Sequence, residues 1–99
     1  QPQGEPPKFI VPLRDQTVND TEKVYFKVIF TARPTAQVVW FFNGKQIFPS
    51  ADFMIKTDSL RGETELFIKE VFPDDEGEFM CKATNKFGTA VTHCHLFVR

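Results

Sequence analysis

The sequence predicts an all-β sandwich of seven to nine short strands in two facing sheets, and three observations carry that expectation. Apolar residues alternate over strand-length runs: Val24, Phe26, Val28 and Phe30 fall on one side, with Tyr25, Lys27 and Ile29 on the other. Turn signals recur at short intervals at Asn43-Gly44, Arg61-Gly62, Pro73 to Gly77 and Asn85 to Gly88, and no run carries a helical period. The single tryptophan, Trp40, precedes Cys81 by forty-one residues, a separation found in sandwiches built around a buried indole.

The 99 residues suffice for one domain with one modest core. Gln1 to Pro7, with three prolines and a glycine, reads as a linker or lead-in strand, and residues 8 to 99 as a single domain. Val24 to Phe30 is the first long strand, and Pro34 within Ala32 to Ala36 breaks it. Val38 to Phe42 follows, with Trp40 inward, and Asn43-Gly44 turns the chain through positive φ. Ile47 to Phe53, interrupted by Pro49, reads as a short edge strand or loop. Met54 and Ile55 form another short strand, followed by turn-prone residues at Thr57-Asp58 and Arg61-Gly62. Leu66, Ile68 and Val71 continue the inward pattern until Pro73 to Gly77 closes it, with room for one helical turn around Asp74 to Glu76. The last two strands are Glu78 to Thr84, with Phe79, Cys81 and Ala83 inward, and Thr89 to Val98, with Ala90, Thr92, Cys94, Leu96 and Val98 inward.

Composition excludes several classes of function. Twelve Lys and Arg against thirteen Asp and Glu leave a formal net charge of -1, so no basic footprint for nucleic acid or a membrane surface is present. The apolar run Val38 to Phe42 is far too short to span a bilayer. His93 and His95 flank Cys94, but alternation on a strand sends the histidines one way and the thiol the other, so no metal site is expected. Asp74-Asp75-Glu76 lacks the oxygen spacing of a calcium loop; Asp75 and Gly77 are read as turn-shaping residues. No glycine opens a phosphate loop, and no nucleophile, base and acid assemble from these spacings. No catalytic residue, cofactor or metal is expected.

The motif Asp75-x-Gly77-x-Phe79-x-Cys81, followed by Ala83-x-Asn85-x-x-Gly88, stands with Trp40, Asn43-Gly44, Phe26, Leu66, Ile68 and Leu96 in a pattern that resembles the intermediate-set (I-set) immunoglobulin domains. The resemblance covers Phe9 to Val98 and implies a Greek-key sandwich. Pro6-Pro7-Lys8-Phe9 and the ending Cys94 to Arg99 are most similar to the muscle modules of titin and myosin-binding protein C type. Two positions depart from the family: Val28 stands where its first bridging cysteine lies, and Phe79 where its corner tyrosine lies. The fold-defining residues on this reading are Phe26, Val28, Trp40, Leu66, Ile68, Asp75, Gly77, Phe79, Cys81 and Leu96.

A tight Asn85 to Gly88 hairpin pairs Cys81 with Thr92 and Cys94 with Phe79. The two cysteines are then diagonal neighbours about 7–8 Å apart at Cα, beyond the roughly 4.4–6.8 Å of most disulfides. Two free thiols are expected, although a displaced register or a bulge would bring them into range of a strained bridge. Dependence on packing alone points to a reducing compartment.

With Trp40 inward, Val39 and Phe41 point outward, and Phe42, Phe48, Phe53, Phe67, Phe87 and Phe97 cannot all be interior. Phe41 with Phe48, folded together by the Asn43-Gly44 turn, is the expected protein-contact patch. The resemblance implies a non-catalytic structural and interaction module of a multidomain sarcomeric or cytoskeletal protein. Neighbouring immunoglobulin or fibronectin-like domains, and a sarcomeric or cytoskeletal protein, are its expected partners. It also implies a cytoplasmic, sarcomeric location and a capacity to bear load, in a parent chain with room for a kinase domain elsewhere. The alternative is an extracellular adhesion or receptor domain binding a protein ligand, and Asn19-Asp20-Thr21 satisfies the glycosylation rule such a setting would use.

Overall fold

The computed structural model describes residues 4–99 and contains nine strands and one 3-10 turn. The strands are β1 (Glu5–Val11), β2 (Gln16–Val18), β3 (Val24–Arg33), β4 (Gln37–Phe42), β5 (Lys45–Ile47), β6 (Phe53–Asp58), β7 (Glu63–Ile68), β8 (Gly77–Asn85) and β9 (Gly88–Val98). The 3-10 turn spans Pro73–Asp75. One sheet has the order β1-β3-β7-β6 and the other β2-β9-β8-β4-β5. All pairings are antiparallel except β2 with β9, which is parallel.

Alternation decides which faces meet. On β3, Val24, Phe26, Val28 and Phe30 are buried, while Tyr25 and Lys27 are exposed. On β8 and β9, Phe79, Cys81, Ala83, Thr92, Cys94 and Leu96 are buried, as the sequence pattern predicts. The core between the sheets is centred on Phe26, Trp40, Leu66, Ile68, Val71, Phe79 and Leu96. Each large apolar side chain buried there contributes about 1.5–3 kcal/mol relative to exposure.

Several boundaries differ from the sequence reading for identifiable reasons. β3 continues to Arg33 because β1 supplies partners beyond Phe30, with Lys8 opposite Thr31 and Glu5 opposite Arg33. Pro34 follows immediately, where the ladder no longer needs its missing N–H. β6 runs through Thr57 and Asp58, which pair with Thr64 and Glu63, and the turn falls at Ser59 to Gly62. Asp58 closes it, its carboxylate accepting from Arg61 N and its carbonyl from Gly62 N. Gly62 adopts φ +77°, and a Cβ there would collide with the Phe30 carbonyl.

Of the lead-in segment, Gln1 to Gln3 lie outside the described residues, whereas Glu5 to Pro7 open β1. The β1–β3 register shifts between Glu5 and Lys8, where Pro6 and Pro7 have no N–H to donate. Two prolines are tolerated there because β1 is an edge strand.

Candidate functional site

The interior is organised around four residues on four strands. Val28 on β3 lies opposite Thr64 on β7 in one sheet, and Trp40 on β4 lies opposite Cys81 on β8 in the other. Trp40 donates its indole Nε1–H to Thr64 Oγ1 at 2.9 Å, across the gap between the sheets. Thr64 is fully buried, and its hydroxyl also lies 3.0 Å from Thr57 Oγ1. A chain of two hydrogen bonds thus links β4 through β7 to β6, and no buried side-chain polar atom among the described residues lacks a partner. The sequence reading missed Thr64. Its one signal was a polar residue in phase with inward Leu66 and Ile68.

Cys81 and Cys94 are buried and unbridged. The register pairs Cys81 with Thr92 and Phe79 with Cys94. Burial pushes both thiols up to about 12, and for Cys94 the charges of Asp15 and Glu78 add to the effect. Neither side chain is a nucleophile near neutral pH, because thiolate is the reactive form. Phe79, standing at the family's tyrosine position, is fully buried between Phe26 at 5.1 Å and Phe42 at 4.8 Å between ring centroids. Tilted aromatic contacts with Phe26 and Phe42 surround the ring where a tyrosine would carry its hydroxyl.

Asp75 and Gly77 serve architecture. The Asp75 carboxylate accepts from Phe72 N at 2.8 Å and holds the 3-10 turn. Gly77 has φ +156°, and a Cβ there would lie 2.6 Å from the Asn43 side chain, which itself accepts from Glu78 N at 2.8 Å. At the opposite pole Asn85 donates to the carbonyls of Glu5 at 2.8 Å and Pro34 at 3.0 Å, tying the start of β1 to the β8–β9 hairpin. The sequence motif contains Asn85 but does not show this role, since both acceptors are backbone atoms distant in sequence.

On the outer face of the five-stranded sheet, Phe41 is half-buried beside Met80 and Gln46. Phe48 is 66% exposed and lines a groove of about 390 Å³ with Phe42, Lys45, Gln46, Ile47 and Phe53. Phe41 is not among the lining residues of that groove. His93 lies 3.7 Å from Glu78, and the His95 ring packs on Phe97 at 4.4 Å. Among the described residues no group of three or more His, Cys, Asp or Glu side chains is placed to hold a metal. No helix of the described residues is long and apolar enough to cross a membrane. On the outer face of the four-stranded sheet, Tyr25 donates its hydroxyl to Glu65, and that bond and charge raise the phenol pKa.

Two facing sheets with a parallel β2–β9 closure, a central indole and the Asp75 to Gly88 motif define an immunoglobulin-like module. The chain belongs to the immunoglobulin I-set domain family, whose model matches residues 7–98. Nexilin of Rattus norvegicus is 41% identical over 93 residues, covering 93% of this chain and 14% of that protein. Palladin of Mus musculus is 39% identical over 92 residues, covering 93% of this chain and 6% of its own length. Among solved structures, titin domains Z1Z2 in complex with telethonin match with a TM-score of 0.92 and 32% identity, over 98% of this chain and 48% of that chain. The domain is non-catalytic and is related to cytoskeletal and muscle proteins.

Proposed function

We propose that this domain is a structural and protein-interaction module within a multidomain sarcomeric or cytoskeletal chain, and that it bears load in the cytoplasm. One observation carries the load-bearing reading: the parallel pairing of β2 with β9, Gln16 with Leu96, Thr17 with Phe97 and Val18 with Val98. β9 ends at the pole where β2 ends, while β1 begins at the other, beside Arg33 and the β8–β9 hairpin. Tension between the termini therefore pulls β2 and β9 in opposite directions along their length. Their hydrogen bonds, including Arg99 N to Val18 O at 2.9 Å, resist in shear and must break together. With no disulfide to stop extension, an unfolded domain releases about 3.3–3.6 Å of contour per residue.

Neighbouring immunoglobulin or fibronectin-like domains and a filament protein are the proposed partners. Support comes from the exposed aromatic rings and from the titin relative, which is solved with telethonin bound. Phe41 and Phe48 are the proposed contact residues. The test is single-molecule pulling on a tandem construction of the domain. Val18→Pro, which disrupts β2, should lower the unfolding force while wild type shows repeated peaks. An unchanged force in the variant would remove the load-bearing reading. The extracellular adhesion alternative has one observation in its favour, the exposed Asn19 of the Asn19-Asp20-Thr21 acceptor.

A further inference from the structure

We propose that the open side of the sandwich holds an extended peptide whose apolar side chains are bracketed by a carboxylate at one end and a basic side chain at the other. This rests on the interaction reading above and specifies the occupant.

β5 and β6 are the last strands of their sheets, on the same side of the sandwich. The segment between them leaves a trough rather than a closed edge. Phe53, half-buried, is a wall common to two concavities. The first, of about 390 Å³, is lined by Phe42, Lys45, Ile47 and Phe48. The second, of about 280 Å³, is lined by Ile68, Phe72 and the acidic side chains Asp52, Glu70, Asp74 and Asp75. Phe48 and Phe72, at 66% and 48% exposure, stand on either side. An aromatic floor of this kind gains by leaving water.

Charge decides what fits it. Lys45 makes no ion pair among the described residues, nor do Asp52, Glu70 or Asp74; Asp75 is engaged by Phe72 N. The trough therefore carries an uncompensated positive end and an uncompensated negative end, and a partner of the reverse polarity neutralises both. A lysine on an edge strand also opposes indiscriminate strand pairing, and a carboxylate lifts that opposition selectively. A second copy of the domain fits poorly, since it offers a concavity to a concavity. A narrow extended segment fills the gap, and its backbone lies beside the free edges of β5 and β6.

The test titrates the nitrogen-15-labelled domain with Ac-Glu-Val-Phe-Leu-Arg-NH2 and with the reversed sequence Ac-Arg-Leu-Phe-Val-Glu-NH2. A third peptide, with Gln at both ends, is the control. One charged peptide should shift amides of Phe42 to Phe53 and Ile68 to Asp75 saturably, with a dissociation constant of about 1 mM or below. The Gln-ended peptide and the Lys45→Glu variant should each weaken binding by about threefold to tenfold. Phe48→Ser, whose ring is largely in solvent, should keep the native spectrum and lose about tenfold or more. Silence from both charged peptides, equal binding of the Gln-ended control, or the same amides shifting with domain concentration alone would each overturn the proposal. If the domain cross-links to a filament protein through another face while the trough stays silent, this inference fails and the interaction reading stands.

Discussion

Trp40 and Thr64 join the two sheets by a hydrogen bond of 2.9 Å, one strand away on each side from Cys81 and Val28. Where the family's pattern places a covalent bridge, this domain has a valine methyl surface and a thiol, and the adjacent pair supplies a directional side-chain link between the sheets. Apolar contact supplies the attraction between the sheets, and the indole bond gives both buried polar groups a partner across the gap.

Replacing Thr64 by Val keeps the volume and leaves the indole N–H without an acceptor. The expected loss is about 1–3 kcal/mol, the desolvation cost of an orphaned donor. In a domain of this size that lowers the melting temperature by roughly 4–8 °C per kcal/mol. Calorimetry checks the shift; an unchanged transition would show that the bond contributes nothing net.

Restoring the family's cysteine by Val28→Cys should let the new thiol bridge to Cys81 under oxidising conditions, leaving Cys94 as the one titratable thiol. Stabilisation of about 2–4 kcal/mol is expected from the shorter unfolded ensemble. Peptide mapping after alkylation identifies the pair. A bridge that involves Cys94 would show that β9, rather than β8, presents the nearer sulfur.

Asn85→Ala removes donors to the Glu5 and Pro34 carbonyls and should cost about 1 kcal/mol. The effect is local. Amide exchange should accelerate at Glu5 and Lys8 and leave β4 and β8 unchanged near Trp40; uniform acceleration would mean that Asn85 supports the whole fold.

The buried thiols impose an alkaline limit. Both have folded values raised from 9.0 to about 12, so the unfolded chain loses protons first as pH rises. Their contribution to stability is complete below about pH 9 and is lost between about 9 and 12. Denaturant midpoints should fall over that window, and Cys94→Ala should fall less steeply than wild type. Equal slopes would contradict buried, protonated sulfurs.

Much of this was legible in the sequence because period-two burial is a local signal. Phe26, Val28, Trp40, Phe79, Cys81 and Leu96 could be placed inward from their neighbours alone, and the tight Asn85 to Gly88 hairpin set the Cys81–Thr92 register. Pairing beyond the hairpins was not legible. The extension of β3 to Arg33 depends on β1, and β6 through Asp58 depends on β7; turn propensity pointed the other way and tertiary hydrogen bonding prevailed. The trough was hidden for a similar reason. Phe48, Phe53 and Phe72 are brought to one side by the ends of two sheets, and the turn at Asn43-Gly44 suggested Phe41 as the neighbour of Phe48.

The most direct measurement is calorimetry of the unreduced domain with and without reductant, alongside a thiol count on the denatured protein. Two sheets clamped on Trp40 by packing and a hydrogen bond should melt at the same temperature in both solutions and yield two thiols per chain. A lower melting temperature in reductant, with no thiols in the unreduced sample, would mean that a covalent tie holds this sandwich together.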